Sequence, residues 1–409
     1  MTEKFQAPRG TRDILPAEQP LWFDLVVHTM EELAALYGYK RIQTPGFEDT
    51  GLFQRTAGVA SDVVQKEMYT FLDRSDRSLT LRPEGTAPIC RAYLEHGMQR
   101  EPQPVKLYTF APMYRYSAPQ KGRFREHWQW SVEAIGSPGP EIDAELLQLY
   151  SELLRRVGIS DYELRLNSIG DAACRPAYVA KLNAWLDAHD ELLDEDARHK
   201  RATSPLQVFD VKNPTVLAAL ADAPKIGESL CDACREHFDA VKRYLEAYGV
   251  PFTIDPSLVR GLDYYSRTTY EFVHAGVGLT ICGGGRYDGL IEQIGGPPTP
   301  GIGFGAGIDR IVLAAQIEGV EVPPRPLDVF FLLDGAPVAE VLATMAELRR
   351  RGLACDTDYA GRSFKGQMTQ AGRTGARYLV IAGADSVKLR RGGAEQEVTL
   401  SDLPDTLIP

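Results

Sequence analysis

In the segment GIGFGAGIDRIVL, every second residue from Gly301 to Gly307 is glycine. Glycine weakens a strand unless something must pack closely against its bare face. The chain therefore has to build a sheet in which this strand is supported on one side and closely approached on the other. A flat base lying over the glycine backbone, with Arg310 of the following helix reaching its phosphates, would account for both features. The rest of the main body has many strands between few long helices: RIQTPGFE, SLTLRP, KLYTFAPMYRYS, FREHWQWSVEAIG, PFTIDPSLVRGLDYYSRTTYEFV and GVGLTICGGGRYDGLI. This pattern predicts a mixed or antiparallel sheet, an α+β body rather than a doubly wound one.

At 409 residues, two or three domains are expected. The stretch EQPLWFDLVVHTMEELAALYGY reads as an amphipathic helix with Leu21, Leu25, Val26, Leu33 and Leu36 on one face. From about Asp171 to Glu246 the chain turns charged, Ala-rich and helical, and reads as an insertion. The run EVPPRP, Glu321 to Pro326, is a linker, and the strand–helix alternation beyond it predicts a small α/β domain. The apolar share of 44% and charged share of 25% are those of a soluble globular protein. No apolar run is long enough to span a bilayer, and MTEKFQAPRG lacks the apolar segment of a signal peptide. Six cysteines in this length make no disulfide scaffold, so a reduced, cytoplasmic setting is expected.

The net charge of −11 argues against indiscriminate nucleic-acid coating. Arg349 to Arg391, however, holds ten Lys/Arg against three Asp, so this segment is +7 and the remainder −18. That asymmetry fits either a surface that meets a polyanion or an ordinary solvated helical face.

Four segments place Arg, Glu or Tyr among strand residues. In LRPEGTAPICRAYLEH, Arg82 and Glu84 flank a proline and Thr86 precedes a helix, which Thr86 could simply cap. In YRYSAPQKGRFREHWQWSVEAIG, Arg115 enters a basic loop; Gln129 and Glu133 leave it on one face of a strand. Glu133 lies among apolar residues, and a buried carboxylate needs a partner or a substrate. In LVRGLDYYSRTTYEF, Arg260 adjoins a glycine and the pair Tyr264–Tyr265; ICGGGRYDGLI adds Arg286, Tyr287 and Asp288 after three glycines. The fourth is the glycine strand with Arg310. No P-loop and no strand–GxGxxG–helix unit is present. CDAC, Cys231 to Cys234, has zinc-like spacing with His237 nearby, but no second CxxC completes a ligand set; two reduced cysteines and no metal are expected.

RGTRDILP, TPGFE, LTLRPEGT, PQKGRFR, LVRGLDYY, GGGRYDGL and GFGAGIDR together resemble the class II aminoacyl-tRNA synthetases and, through LVRGLDYY and GGGRYDGL, the histidyl-tRNA synthetase family. The resemblance spans nearly the whole chain. It implies a class II antiparallel-sheet catalytic domain over 1–325, with the 171–246 helical insertion, and an anticodon-binding α/β domain over 326–409. The implied activity is ATP- and Mg2+-dependent ligation of L-histidine to tRNA(His) through a histidyl-adenylate, in a cytoplasmic homodimer whose interface carries TPGFE. By the same resemblance, Arg115 grips the ATP α-phosphate and the amino-acid carboxylate, Arg123 and Arg310 bind the terminal phosphates, and Glu84, Thr86 and Gln129 bind the α-amino group. Glu133 and Tyr265 hold the two imidazole nitrogens, Tyr264 and Tyr287 shape the pocket, and Arg260 stabilises charge on the α-phosphate where other class II enzymes use a metal. Gln120 and the loop through Arg125 lie near the acceptor end. Ser117 stands where the family carries a glutamate that helps recognise adenine. The alternative implied by the resemblance is the non-charging paralogue that regulates ATP phosphoribosyltransferase; it typically lacks the last domain and an intact LVRGLDYY, both of which this chain has.

Overall fold

The computed structural model describes residues 4–58 and 61–407. The chain divides into two units, Met1–Val322 and Pro323–Pro409. No helix among the described residues is long and apolar enough to cross a membrane.

The larger unit is built on an eight-stranded sheet. Its order runs Lys40–Arg41, Val105–Tyr114, Glu126–Ile135, Gly301–Gly307, Leu279–Arg286, Ser266–His274, Tyr162–Ser168 and Thr253–Ile254. The six inner strands are mutually antiparallel, and only the two short edge strands pair in parallel. Because strand side chains alternate between faces, each inner strand divides its residues between two environments. Trp130, Val132, Ala134, Tyr270, Phe272, Ile302, Phe304 and Ala306 point into one core, shared with Pro140–Val157, Asp232–Tyr248 and Ile308–Ile317. The opposite face carries Gln129, Glu133, Glu271 and the glycines of Gly301–Gly307, and it holds the polar chemistry. The glycine strand is therefore anchored by Ile302 and Phe304 on one side and left bare on the other, the split its sequence demanded.

The N-terminal helical segment departs from the expected face. Its first part, Pro20–Val27, is wound wide in π fashion before the regular helix His28–Leu36. The change of pitch moves the buried stripe to Trp22, Val26, Met30 and Leu33 and leaves Leu36 exposed. RIQTPGFE is two strands: Lys40–Arg41 joins the main sheet, and Phe47–Asp49 joins a small antiparallel sheet with Ser78–Leu81 and Tyr69–Leu72. Between Ser168 and Thr253 the chain is helical, from Arg175–Ala188 to Asp232–Tyr248.

The smaller unit is a five-stranded sheet in the order Cys355–Thr357, Val329–Asp334, Tyr378–Gly383, Val387–Arg391, Ala394–Val398, with helices Val338–Arg350 and Phe364–Thr374. Two of these strands, Cys355–Thr357 and Ala394–Val398, are not readable from the polar sequence. Much of the +7 segment is compensated within the smaller unit, mostly by acids outside the segment: Arg350 and Arg351 pair with Glu347, Arg377 with Asp328, and Lys388 and Arg390 with Glu395, while Arg362 pairs with Asp358 inside it. Lys365 and Arg373, exposed on Phe364–Thr374, make no ion pair among the described residues.

Candidate active site

A cavity of ≈ 370 Å³ opens on the polar face of the larger sheet, and the guanidiniums of Arg115, Arg123, Arg260 and Arg310 all line it. Each is aimed by the backbone around it. Arg115, just past Val105–Tyr114, donates from Nε to the Pro83 carbonyl at 2.7 Å. Arg123, on the basic loop, pairs with Glu67 at 3.0 Å. Arg310, in the first turn of Ile308–Ile317, donates from Nε to Gly122 O at 3.0 Å and from Nη1 to the Thr280 carbonyl. Arg260 pairs with Glu271, which also accepts from Thr280 Oγ1 at 2.9 Å, and its buried Nε has no partner. Burial, with repulsion from Arg123, Arg115 and Arg260, pulls the Arg310 guanidinium down to about 10. Burial, with repulsion from Arg115, Arg310 and Arg123, pushes the His127 imidazole down to about 3, so it is neutral at physiological pH. Four like charges with one unsatisfied N–H in a recess form a site for a polyanion. Phe124 lines the same cavity and offers an aromatic face.

Beside the cavity lies a buried polar cluster. Glu133 accepts from Thr86 Oγ1 at 2.6 Å and from the Tyr287 hydroxyl at 2.6 Å. Burial raises its carboxyl to about 8, against the pull of these two donors. Glu84, also buried, accepts from the backbone N–H of Thr86 at 2.6 Å and of Ala87 at 2.9 Å. The helix Thr86–Glu95 is thus capped by Glu84, and Thr86 is its first residue rather than its cap. The Tyr264 ring lies 4.6 Å from that of Tyr265 and 6.0 Å from that of Tyr287, closing the cluster. Gln129 faces the cavity and donates to Ser131 Oγ at 2.9 Å. The eleven residues singled out from sequence therefore fall into two adjoining groups: five around the cavity, six behind it.

The glycines serve these side chains as much as open space. A Cβ on Gly303 would sit 1.8 Å from Glu133 Oε2, one on Gly301 would sit 2.2 Å from the Tyr287 ring, and one on Gly283 would sit 2.5 Å from the Arg260 guanidinium. Gly284 is closed off by backbone, with Gly303 O at 2.1 Å from its Cβ position. Of the glycine strand, Gly305 and Gly307 line the cavity itself.

Some residues have other roles than their segments suggested. Arg286 is fully buried, bonded to Asp143 at 2.9 Å, Asp288 at 2.9 Å and the carbonyls of Ser137 and Gly139, so it is a structural hub away from the cavity. Arg82 likewise staples the carbonyls of Pro112 and Thr44. His237 does not join the CDAC cysteines; its Nε2 lies 2.9 Å from Asp143 Oδ2. Conversely, His127, Asp210, Glu271 and Asp309 line the cavity without having been singled out. His127 shares the alternation of Gln129 and Glu133, a signal that could have found it. Asp210 comes from the helical insertion, and no local pattern marks it. Asp309 is fixed by Arg12 of RGTRDILP at 3.1 Å, which explains why that motif sits where it does.

An antiparallel six-stranded core with a basic cavity, fed by a strand–loop–strand arginine and a strand–helix arginine, defines the class II aminoacyl-tRNA synthetase catalytic architecture. The histidyl-tRNA synthetase family profile matches residues 10–311. The chain is 46% identical to the histidine–tRNA ligase of Moorella thermoacetica over 97% of this chain and 96% of that one. The apo histidyl-tRNA synthetase of Staphylococcus aureus superposes with a TM-score of 0.84 at 36% identity, covering 99% and 100% of the two chains. A Bacillus halodurans structure described as an ATP phosphoribosyltransferase regulatory subunit/histidyl-tRNA synthetase reaches 0.64 at 24% identity over 90% and 97%, a likeness of fold. The chain belongs to the histidyl-tRNA synthetase family.

Proposed function

We propose that the protein ligates L-histidine to tRNA(His) at the expense of ATP. The observation that carries this reading is the adjacency of the four-arginine cavity to the buried Glu133–Tyr264–Tyr265–Tyr287 cluster, a phosphate-binding recess next to polar side chains able to pair with an imidazole. In the first step a histidine carboxylate oxygen forms a bond to the α-phosphorus and the bond to the β-phosphate bridging oxygen breaks, releasing pyrophosphate. The carboxylate is already ionised, so the protein contributes position and charge. Arg260 and Arg115 face the α-phosphate, Arg123 and Arg310 the outer phosphates, and Phe124 the base. Ser117, which lines the cavity, cannot offer adenine the carboxylate contact of the family's glutamate. In the second step the terminal ribose hydroxyl of the tRNA attacks the adenylate carbonyl and AMP leaves.

A neutral imidazole offers one donor and one acceptor nitrogen. Glu133 takes the N–H, and Tyr265 meets the other nitrogen. A pocket that pairs both rejects rings and chains that leave its polar groups unsatisfied. Glu84, Thr86 and Gln129 border the α-amino group. Glu271, Asp210 and Asp309 line the cavity with oxygen donors of the kind Mg2+ takes, but Glu271 is held by Arg260 and Asp309 by Arg12, so a Mg2+ arriving with the triphosphate would draw most of its ligands from phosphate and water. It would offset phosphate charge there. The smaller unit, with Lys365 and Arg373 uncompensated on one helix, acts as the anticodon-binding domain. The small sheet exposes Phe47, Phe71 and Leu72, which supports a homodimer through TPGFE. The regulatory-paralogue reading gains nothing from a likeness of fold at 24% identity. Charging of a tRNA(His) transcript with labelled histidine tests the proposal; ATP-dependent charging supports it, and none with active protein contradicts it.

A further inference from the structure

The sequence offered two cysteines with metal-like spacing and no partners for them. The fold supplies the partners from about sixty residues upstream. Asp171 and Cys174, where the helical insertion begins, meet Cys231 and Cys234, where its last helix starts, and the four ligand atoms all lie within 4.8 Å of one another. We propose that Asp171, Cys174, Cys231 and Cys234 form a structural site for a thiophilic divalent cation, zinc in the cell, that closes the root of the insertion.

The spacings are those of ligands around one ion. Zn–S bonds of about 2.3 Å and Zn–O bonds of about 2.1 Å in a tetrahedron place sulfurs about 3.8 Å apart and sulfur and oxygen about 3.6 Å apart. Cys174 Sγ and Cys234 Sγ lie 3.9 Å apart, and Asp171 Oδ1 lies 3.6 Å from Cys174 Sγ and 4.0 Å from Cys231 Sγ. A disulfide would require about 2.05 Å between sulfurs. Three thiols and a carboxylate complete a closed four-ligand set of the structural kind, with no position left for a substrate. Cys174 and Cys234 are buried.

The surroundings hold the ligands in place. The Asp171 N–H points at Cys174 Sγ at 3.4 Å, and the Ala173 N–H donates to Asp171 Oδ1 at 3.0 Å. The second carboxylate oxygen of Asp171 is held by Arg267 at 3.3 Å. Arg267 has φ +50, uncommon for a residue with a side chain, at a point where the pairing of its strand slips in register. Such outer partners orient metal ligands. On the other side, Arg175, next to Cys174, donates to the Tyr265 carbonyl at 2.8 Å. The ion would thus pin the insertion to the loop that carries Arg260, Tyr264 and Tyr265. Binding deprotonates the three thiols and releases their protons to solvent.

The test uses the full chain, reduced, exposed to zinc and desalted, with metal measured by mass spectrometry. The expected content is about one zinc per chain, lost in Cys174→Ser and in Cys234→Ser and kept in Cys355→Ser. Because the serine variants could misfold, cobalt titration of the unaltered protein provides an independent readout: thiolate-to-cobalt charge-transfer absorption saturating at about one equivalent supports the site. Zinc content below about a tenth of an equivalent, or a cobalt titration without thiolate bands, overturns it. So does full metal retention in a folded Cys174→Ser protein.

Discussion

Arg260 lies directly over Gly283: a Cβ at that glycine would come within 2.5 Å of one terminal guanidinium nitrogen, Nη2, and 2.7 Å of the other, Nη1. The absence of a side chain on one strand thus creates the seat for the charge on the neighbouring loop. Gly283→Ala should displace the guanidinium while leaving the core untouched. A shift of about 1 Å at a charge-stabilising group costs roughly a hundredfold. We expect histidine-dependent exchange of pyrophosphate into ATP to fall by at least about tenfold, with a melting temperature near that of the parent.

Glu133 predicts a pH dependence. Its carboxyl is raised from an ordinary value near 4.5 to about 8 in the fold, so between these values the folded chain holds a proton that the unfolded chain has lost. Stability from this group is full below the lower value and falls as pH rises toward the upper one, by a few kcal/mol at most. Without ligand, the melting temperature should drop more steeply between about pH 6 and pH 8 in the parent than in Glu133→Gln. Parallel slopes would remove the assignment. The same variant should lose affinity for histidine much more than for ATP.

Arg286 is expected to act on stability alone. It neutralises Asp143 in a fully buried setting. Arg286→Met leaves that carboxylate beside His237 without its guanidinium, a loss of about 3–5 kcal/mol. Urea unfolding of the larger unit should show this loss, and the Michaelis constants of any folded fraction should be unchanged.

The exposed aromatic pair Phe47 and Phe71, with ring centroids 6.3 Å apart, bears on assembly. Phe47→Glu with Phe71→Glu should convert a dimer to a monomer in sedimentation velocity with the far-UV spectrum retained. A dimer of unchanged stability would place the interface elsewhere.

How far the sequence could be read depends on the range of each interaction. Strand alternation is local, so the shared face of Gln129 and Glu133 and the bare face of Gly301–Gly307 are legible in the sequence. The same alternation, followed two residues further, reaches His127. The choice between ligand-binding and structural arginines is not local. Arg260 and Arg286 each sit beside glycines in a strand-rich segment, yet only the first reaches the cavity; the second is claimed by Asp143 on a distant helix. Cys174 and Asp171 were invisible as partners of CDAC because the whole insertion separates them. The helix face ending at Leu36 is not the buried one because the wide turns over Pro20–Val27 break the regular 3.6-residue pitch on which helical periodicity rests.

The role proposed for Arg260 is to stabilise charge at the α-phosphate of ATP as histidine attacks. Pyrophosphate exchange with purified protein, comparing the parent with Arg260→Ala, tests it most directly. Exchange should require histidine in the parent and fall by about 10²–10³ in the variant, at nearly unchanged ATP binding. Exchange at the parental rate in a folded Arg260→Ala protein would contradict it.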